Sequence, residues 1–206
     1  MKIEEGTAAT SSAPAEGLRM RILHEATRMF ADVGFERTSI RELAARCACT
    51  KPALYYYFRN KEAVYLEALA IQTERALAHM EWVVSSDGNL RQRLHRGIQR
   101  LFDYARVDPD GLRMLHRAPF CGDSLPRAAE QQLASLRELH MKTLQTVFEQ
   151  GIASGELGRS CSSRDCAIAL AGGIDFRLQL WTRGETPSLE GLSSLVDLLF
   201  DGMKAP

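Results

Sequence analysis

Residues Ser39 to Lys61 read SIRELAARCACTKPALYYYFRNK, and the spacing predicts two short helices joined by a tight turn. Ser39 is placed to cap the first, with Glu42 three residues on as the second half of a capping box. Ile40, Leu43 and Ala44 supply its inward stripe. Thr50 is placed to cap the second helix, and Pro52 suits a first turn, where a missing N–H costs nothing. Leu54 and Phe58, four residues apart, mark the buried face of that helix. Three consecutive tyrosines, Tyr55 to Tyr57, lie between Lys51 and the triplet Arg59-Asn60-Lys61. Hydroxyls, an ammonium and ring area in this order suit phosphates and base edges better than they suit a solvated helix.

The flanking residues extend the pattern. ILHEATRMFADVGF over Ile22–Phe35 is followed by TSIRELA from Thr38, the turn CACT, KPALYYYF and the Lys61-Glu62 pair that opens the next helix. Over Ile22 to Leu66 this arrangement resembles the TetR family of helix-turn-helix regulators. The resemblance covers about a quarter of the chain. It implies an all-α fold of about nine helices, with a three-helix DNA-binding head at residues 18–66 and a helical effector-binding and dimerisation domain at 67–206. It also implies a homodimeric repressor that binds a palindromic operator on double-stranded DNA and is released by a small-molecule effector. Ala48 stands in the turn where that family usually has glycine, and a left-handed alanine there costs on the order of 1 kcal/mol.

Roles within the head follow from position. Thr50, Lys51, Ala53 and Tyr55 are placed toward bases. Tyr56, Tyr57 and Lys61 are placed toward phosphates, one tyrosine being expected to pack inward instead. Thr38, Ser39 and Arg41, where the first short helix begins, complete the expected DNA contacts.

The chain carries no net charge over its 206 residues. The charge is nevertheless sorted. Leu18 to Lys61 holds nine basic residues against four acidic, a net of +5 that leaves −5 for the remainder. Such a distribution suits a DNA-binding head on a neutral or acidic body.

Five cysteines, Cys47, Cys49, Cys121, Cys161 and Cys166, show no spacing of a secreted scaffold, so a reducing compartment is expected. The first 17 residues lack the apolar core of a signal peptide and are expected to be a disordered tail. The longest apolar run, Cys166 to Ile174, is far short of a membrane span. A cytoplasmic protein without a membrane partner is expected. No phosphate loop, nucleophile elbow, HExxH or dinucleotide fingerprint is present, so neither enzymatic activity nor a cofactor or metal is expected. A helical enzyme or ligand carrier is only a residual alternative. The other alternative input is thiol oxidation or metal at the cysteines, although Cys47 and Cys49 fit core packing better.

Beyond the head the punctuation predicts helices over 18–33 (ended by a left-handed Gly34), 61–84, 90–107 and 109–117. Further ones run from Asp123 or Ser124 to near Gly155, from Arg164 to Trp181, and from Thr186-Pro187 to near Gly202. The helix from Lys61 would be a lever reaching from head to body. An effector pocket is expected between Lys61 and Trp181, lined from among Trp82, Phe102, Tyr104, Met114, Phe120, Phe148, Phe176 and Trp181. Arg113, His116 and Arg117 serve as its polar handles. The last two helices offer a dimer face of Ala169, Gly172, Gly173, Phe176, Leu189, Leu192, Leu195, Val196, Leu199 and Phe200, as in a four-helix bundle formed by two subunits.

Overall fold

The computed structural model describes residues 13–117, 124–158, 162–185 and 190–202. Among them are nine α-helices: α1 (Ala13–Arg37), α2 (Ile40–Arg46), α3 (Lys51–Tyr57), α4 (Lys61–Ser85), α5 (Leu90–Val107), α6 (Pro109–Arg117), α7 (Arg127–Ala153), α8 (Ser163–Thr182) and α9 (Ser193–Gly202). The all-α fold expected from the sequence is what the chain adopts.

Several starts and stops were written in single residues. Asn60 caps α4 by accepting from the Ala63 N–H at 2.8 Å. Asn89 and Gln92 form a reciprocal capping box on α5, and Ser162 caps α8 through the Asp165 N–H. Four expectations are corrected. The tail expected through residue 17 is already helical from Ala13. Helix α7 starts at Arg127 behind Pro126, later than Asp123 or Ser124, because the fixed φ of Pro126 occupies its N-cap. The described part of the last helix opens as a 3₁₀ turn at Glu190–Leu192 before α9; Thr186 and Pro187 lie outside the described residues. Gly34 breaks α1 at φ 81°, ψ 174°. That is not the left-handed helical region but an extended mirror-image conformation open essentially to glycine alone.

Two apolar clusters divide the molecule. The first joins α1 to α4 of the head with Met114 and Leu115 of α6 and Ala129 and Leu133 of α7. Phe35 plugs it, edge-on to Tyr65 with centroids 5.2 Å apart. The second cluster fills the body between α5, α7, α8 and α9, around Phe148, Leu170, Leu178 and Val196.

Helix α4, 25 residues long, spans about 37 Å, lends its first half to the first cluster and packs against α5 and α7 of the body. Its far end is held by Arg93 of α5, a buried guanidinium that donates to the Val83 and Val84 carbonyls at 3.2 and 2.7 Å and to Gln150 Oε1 of α7. Cationic donors on terminal helix carbonyls satisfy groups that the helix itself cannot.

Candidate DNA interface and effector body

The head is built so that α3 shows one face. Leu54 and Phe58 are buried, and Thr50 caps the helix by accepting from the Ala53 N–H at 3.3 Å. Lys51, Tyr55 and Tyr56 are left outward, Tyr56 with 82% of its surface exposed. Ser39 and Arg41 are exposed beside them. Ala53 and Tyr57 are half-buried, and Tyr57 packs against the first core with its ring 5.0 Å from that of Tyr56. Tyr57 is thus the inward tyrosine. Arg19 of α1 fixes the other side of α3, lying over the Phe58 ring while ion-paired to Glu67 of α4.

Three local expectations are revised. Ser39 occupies the N-cap of α2 without a side-chain hydrogen bond, and Glu42 turns to Arg46 at 2.8 Å instead of reaching back, so neither half of the capping box forms. Thr38 is 3% exposed and donates its hydroxyl to the Gly34 carbonyl at 2.7 Å, closing the kink in α1 rather than facing DNA. Lys61 donates to the Phe35 and Glu36 carbonyls at 2.9 and 3.1 Å, with its ammonium 4.4 Å from the Phe35 ring. It holds the link between α1 and α2, leaving one of its three donors for a phosphate.

The turn between α2 and α3 takes the left-handed conformation anticipated at its alanine. Ala48 stands at φ 49°, in the left-handed region. Its neighbour Cys47 is buried, and burial together with the adjacent Cys49 pushes its thiol up to about 11. A thiol so held carries little thiolate at neutral pH. Cys166 is buried in the second core, and Cys121 and Cys161 lie outside the described residues. Among the described residues no three His, Cys, Asp or Glu side chains converge as a metal-binding set.

In the body, the expected pocket lining disperses. Phe102 and Phe148 belong to the second core and Met114 to the first. Phe176 is 61% exposed on α8, and Phe120 lies outside the described residues. Trp181 packs against the second core. Tyr104 donates to Gln72 Oε1 at 2.5 Å in a joint between α4 and α5, and burial pushes its phenol up. The basic handles are engaged. Arg113 pairs with Asp32 at 2.9 Å and Asp110 at 3.1 Å. Arg117 donates to the Ala31 and Asp32 carbonyls near the end of α1. His116 meets Asp175 of α8 at 3.4 Å.

These side chains line a crevice of about 50 Å³ between α1, α6 and α8, far below the several hundred Å³ of a drug-sized site. Helix α6 is therefore a strut between head and body more than a pocket wall. Three polar groups of the body had no place in the sequence-based lining: His79, Arg100 and His140. Their one sequence signal is the three-residue step from His79 to Trp82 on α4.

The expected dimer face also divides. Leu192, Val196 and Phe200 are buried within the chain's own second core. A Cβ on Gly173 would lie 2.9 Å from Leu195 Cδ1, so that glycine admits α9 of the same chain. Leu195 and Leu199 are half-buried there, and Leu189 lies outside the described residues. What stays outward is a stripe on α8, Ile168, Ala169, Gly172 and Phe176, with Leu198 of α9. No helix among the described residues is long and apolar enough to cross a membrane.

Comparison with known proteins bears on this arrangement. The family profile "Bacterial regulatory proteins, tetR family" matches residues 22–68. The transcriptional activator FasR of Mycolicibacterium smegmatis is 26% identical over 118 residues, 57% of this chain and 53% of its own length. The chain thus spans about half of that relative. The fatty acid metabolism regulator protein of Bacillus subtilis is 21% identical over 186 residues, 89% of this chain and 94% of its own.

Among solved structures, FadR from Bacillus subtilis in complex with stearoyl-CoA superposes with a TM-score of 0.73 at 18% identity, covering 89% of this chain and 98% of that one. The ketosteroid regulator KstR2 of Mycobacterium tuberculosis gives 0.76 at 17% identity, covering 97% and 99%. These likenesses carry the fold over the whole length, and the relatives are transcriptional regulators rather than enzymes. Residues 22–68 therefore carry the DNA-binding domain of the TetR family of transcriptional regulators, and the chain has the fold of the solved regulators it resembles.

Proposed function

We propose that the protein is a homodimeric repressor that reads a palindromic operator through Ser39, Arg41, Thr50, Lys51, Ala53, Tyr55 and Tyr56. A small molecule bound in the helical body releases it. The observation that supports this most is the outward face of α3, where two exposed tyrosines and a lysine stand on a helix whose opposite side is locked into the core. The exposed apolar stripe of α8 supports the dimer, since an apolar patch of this kind on a monomer marks an interaction surface. Two heads on a two-fold axis would read half-sites about 34–36 Å apart or a related spacing. The names of the Bacillus relatives make a long-chain acyl-CoA the first effector to try.

The test is capture of fragmented native DNA by the purified protein at near-physiological salt, followed by sequencing. A recurring palindrome supports the reading; weak, salt-sensitive binding without a shared motif counts against it. The name of FasR favours one second reading, activation from the same kind of site. Transcription in vitro from a captured promoter separates the two by the sign of the effect.

A further inference from the structure

The nine cations between Leu18 and Lys61 divide by what holds them. Arg19 is ion-paired to Glu67, Arg28 to Glu25 and Asp110, and Arg46 to Glu42. Lys61 is taken by two carbonyls. Arg41 and Lys51 belong to the face already read as meeting the operator. Three arginines are left over. Arg21, Arg37 and Arg59 are all exposed and, among the described residues, have no side-chain hydrogen-bond or ion-pair partner.

Their surroundings separate these three. Arg37 follows Glu36 directly, and Arg59 stands three residues before Glu62; neither carboxylate is paired among the described residues, so each offsets the charge beside it. Arg21 has no such neighbour. The one carboxylate within a turn of it on α1, Glu25, is engaged by Arg28 at 3.3 Å, and Glu42 of α2 is engaged by Arg46.

A contact fixes where Arg21 stands. The Cys47 thiol donates to the Arg21 carbonyl, with Sγ 3.8 Å from the oxygen. Cys47 is the C-cap of α2, from which the chain turns through Ala48 and Cys49 to the Thr50 cap of α3. Arg21 is therefore beside the turn that leads into the reading helix. In a helix-turn-helix the second helix lies in the major groove while the first crosses the backbone, so the turn joining them lies at the edge of the groove, where the phosphates are. A guanidinium there, with no carboxylate to hold it, is placed for a phosphate oxygen. Arg19, two residues earlier, ties α1 to α3 and α4 through the Phe58 ring and Glu67, so α1 presents Arg21 from a fixed mount.

We propose that Arg21 is a DNA-phosphate contact supplied by α1, from outside the two short helices, and that it anchors the head on the sugar–phosphate backbone without reading sequence. This rests on the reading of α3 as the face that meets DNA, and adds to it a backbone contact that the spacing of α2 and α3 does not show.

The experiment measures binding of the full-length protein to a fluorescein-labelled duplex of mixed sequence by anisotropy over a series of salt concentrations. Such a duplex isolates the electrostatic part of binding. Arg21→Ala should leave the melting temperature in place, weaken binding several-fold and lower the slope of log K against log salt by about 0.9 for each head engaged. Arg21→Lys should restore the slope, since a phosphate accepts a point charge. Arg28→Ala, which removes an already paired arginine of the same helix, should leave the slope as it was. The fold-loss for Arg21→Ala should be the same on a captured palindrome as on the mixed duplex.

An unchanged slope in Arg21→Ala overturns the contact, as does an equal loss of slope in Arg28→Ala, which would make the effect one of overall charge. A clearly larger loss on the palindrome than on the mixed duplex overturns it as well, by making Arg21 a reader of bases. Failure of the unaltered protein to bind either duplex at any salt removes the reading of α3 itself, whereas a bound duplex with the slope unchanged in Arg21→Ala removes Arg21 alone.

Discussion

The Lys61 ammonium, at the first residue of the helix that leads into the body, donates to the Phe35 carbonyl at 2.9 Å. A side chain placed by sequence to meet a phosphate is thus also a bracket between α4 and the start of the helix-turn-helix. The two roles differ in what salt does to them. Lys61→Ala should lower stability by about 1–2 kcal/mol in chemical denaturation, since charge-assisted hydrogen bonds are worth roughly that much. If the bracket is the main role, operator affinity should fall while the slope of log K against log salt stays unchanged; loss of a phosphate contact would reduce that slope by about one.

Tyr56→Phe removes one hydroxyl from a side chain that is almost wholly in solvent. The melting temperature should not move, and operator affinity should drop about five- to tenfold if the hydroxyl contacts the DNA backbone. An unchanged affinity in a binding assay would take Tyr56 out of the interface.

Ala48→Gly relieves a left-handed alanine at φ 49°. Alanine there costs about 1–2 kcal/mol, of which glycine returns roughly half through its freer unfolded chain. A net gain of about 0.5–1 kcal/mol in equilibrium unfolding is expected. A loss of stability would mean that the methyl group packs in a way that outweighs its strain.

Phe176→Glu introduces a charge on the exposed stripe of α8 without touching either core. Light scattering on the unaltered protein should give twice the 23.0 kDa chain mass, and the variant should give the single mass. A variant that stays dimeric would place the interface elsewhere.

Stability should fall as pH drops from about 6.5 toward 4. Burial holds His79 at about 4 in the folded chain, well under its ordinary 6.5, and pushes His140 in the same direction. In that window the unfolded chain binds more protons than the folded one, which disfavours folding progressively as acid is added. The His79 contribution is of order 2–3 kcal/mol, fully present above pH 6.5. Denaturation midpoints of His79→Gln against the unaltered protein at pH 7 and pH 4.5 check it; equal pH dependence of the two would dismiss His79 as the cause.

The head was legible because each of its decisions is local. Thr50, Pro52 and Asn60 announce helix starts, and the four-residue step from Leu54 to Phe58 fixes which face of α3 turns inward. Ala48 showed its strain in advance because the turn demands one conformation whatever surrounds it. The body was legible only as a succession of helices. Which face of α9 turns inward is decided by α5 and α8 far away in sequence, so Leu192, Val196 and Phe200 looked available to a partner although their own chain covers them. Thr38 misled for a similar reason: a hydroxyl advertises a donor, but only the folded chain shows which carbonyl stands close enough to take it, just as only the folded chain shows the two carbonyls that Lys61 holds. Arg113 and Arg117 suggested an anionic ligand until Asp32 and the carbonyls near the end of α1 were found beside them.

The first apolar cluster, which joins Met114 and Leu115 of α6 and Ala129 and Leu133 of α7 to the helices of the head, bears on how such regulators can be recombined. A chimera spliced at residue 66, joining this head to another relative's body, would lose those four side chains along with the carbonyl contacts of Arg117. A working graft would have to carry α6 and the first turns of α7 with the donor head, so the exchangeable unit is discontinuous in sequence although it is contiguous in space.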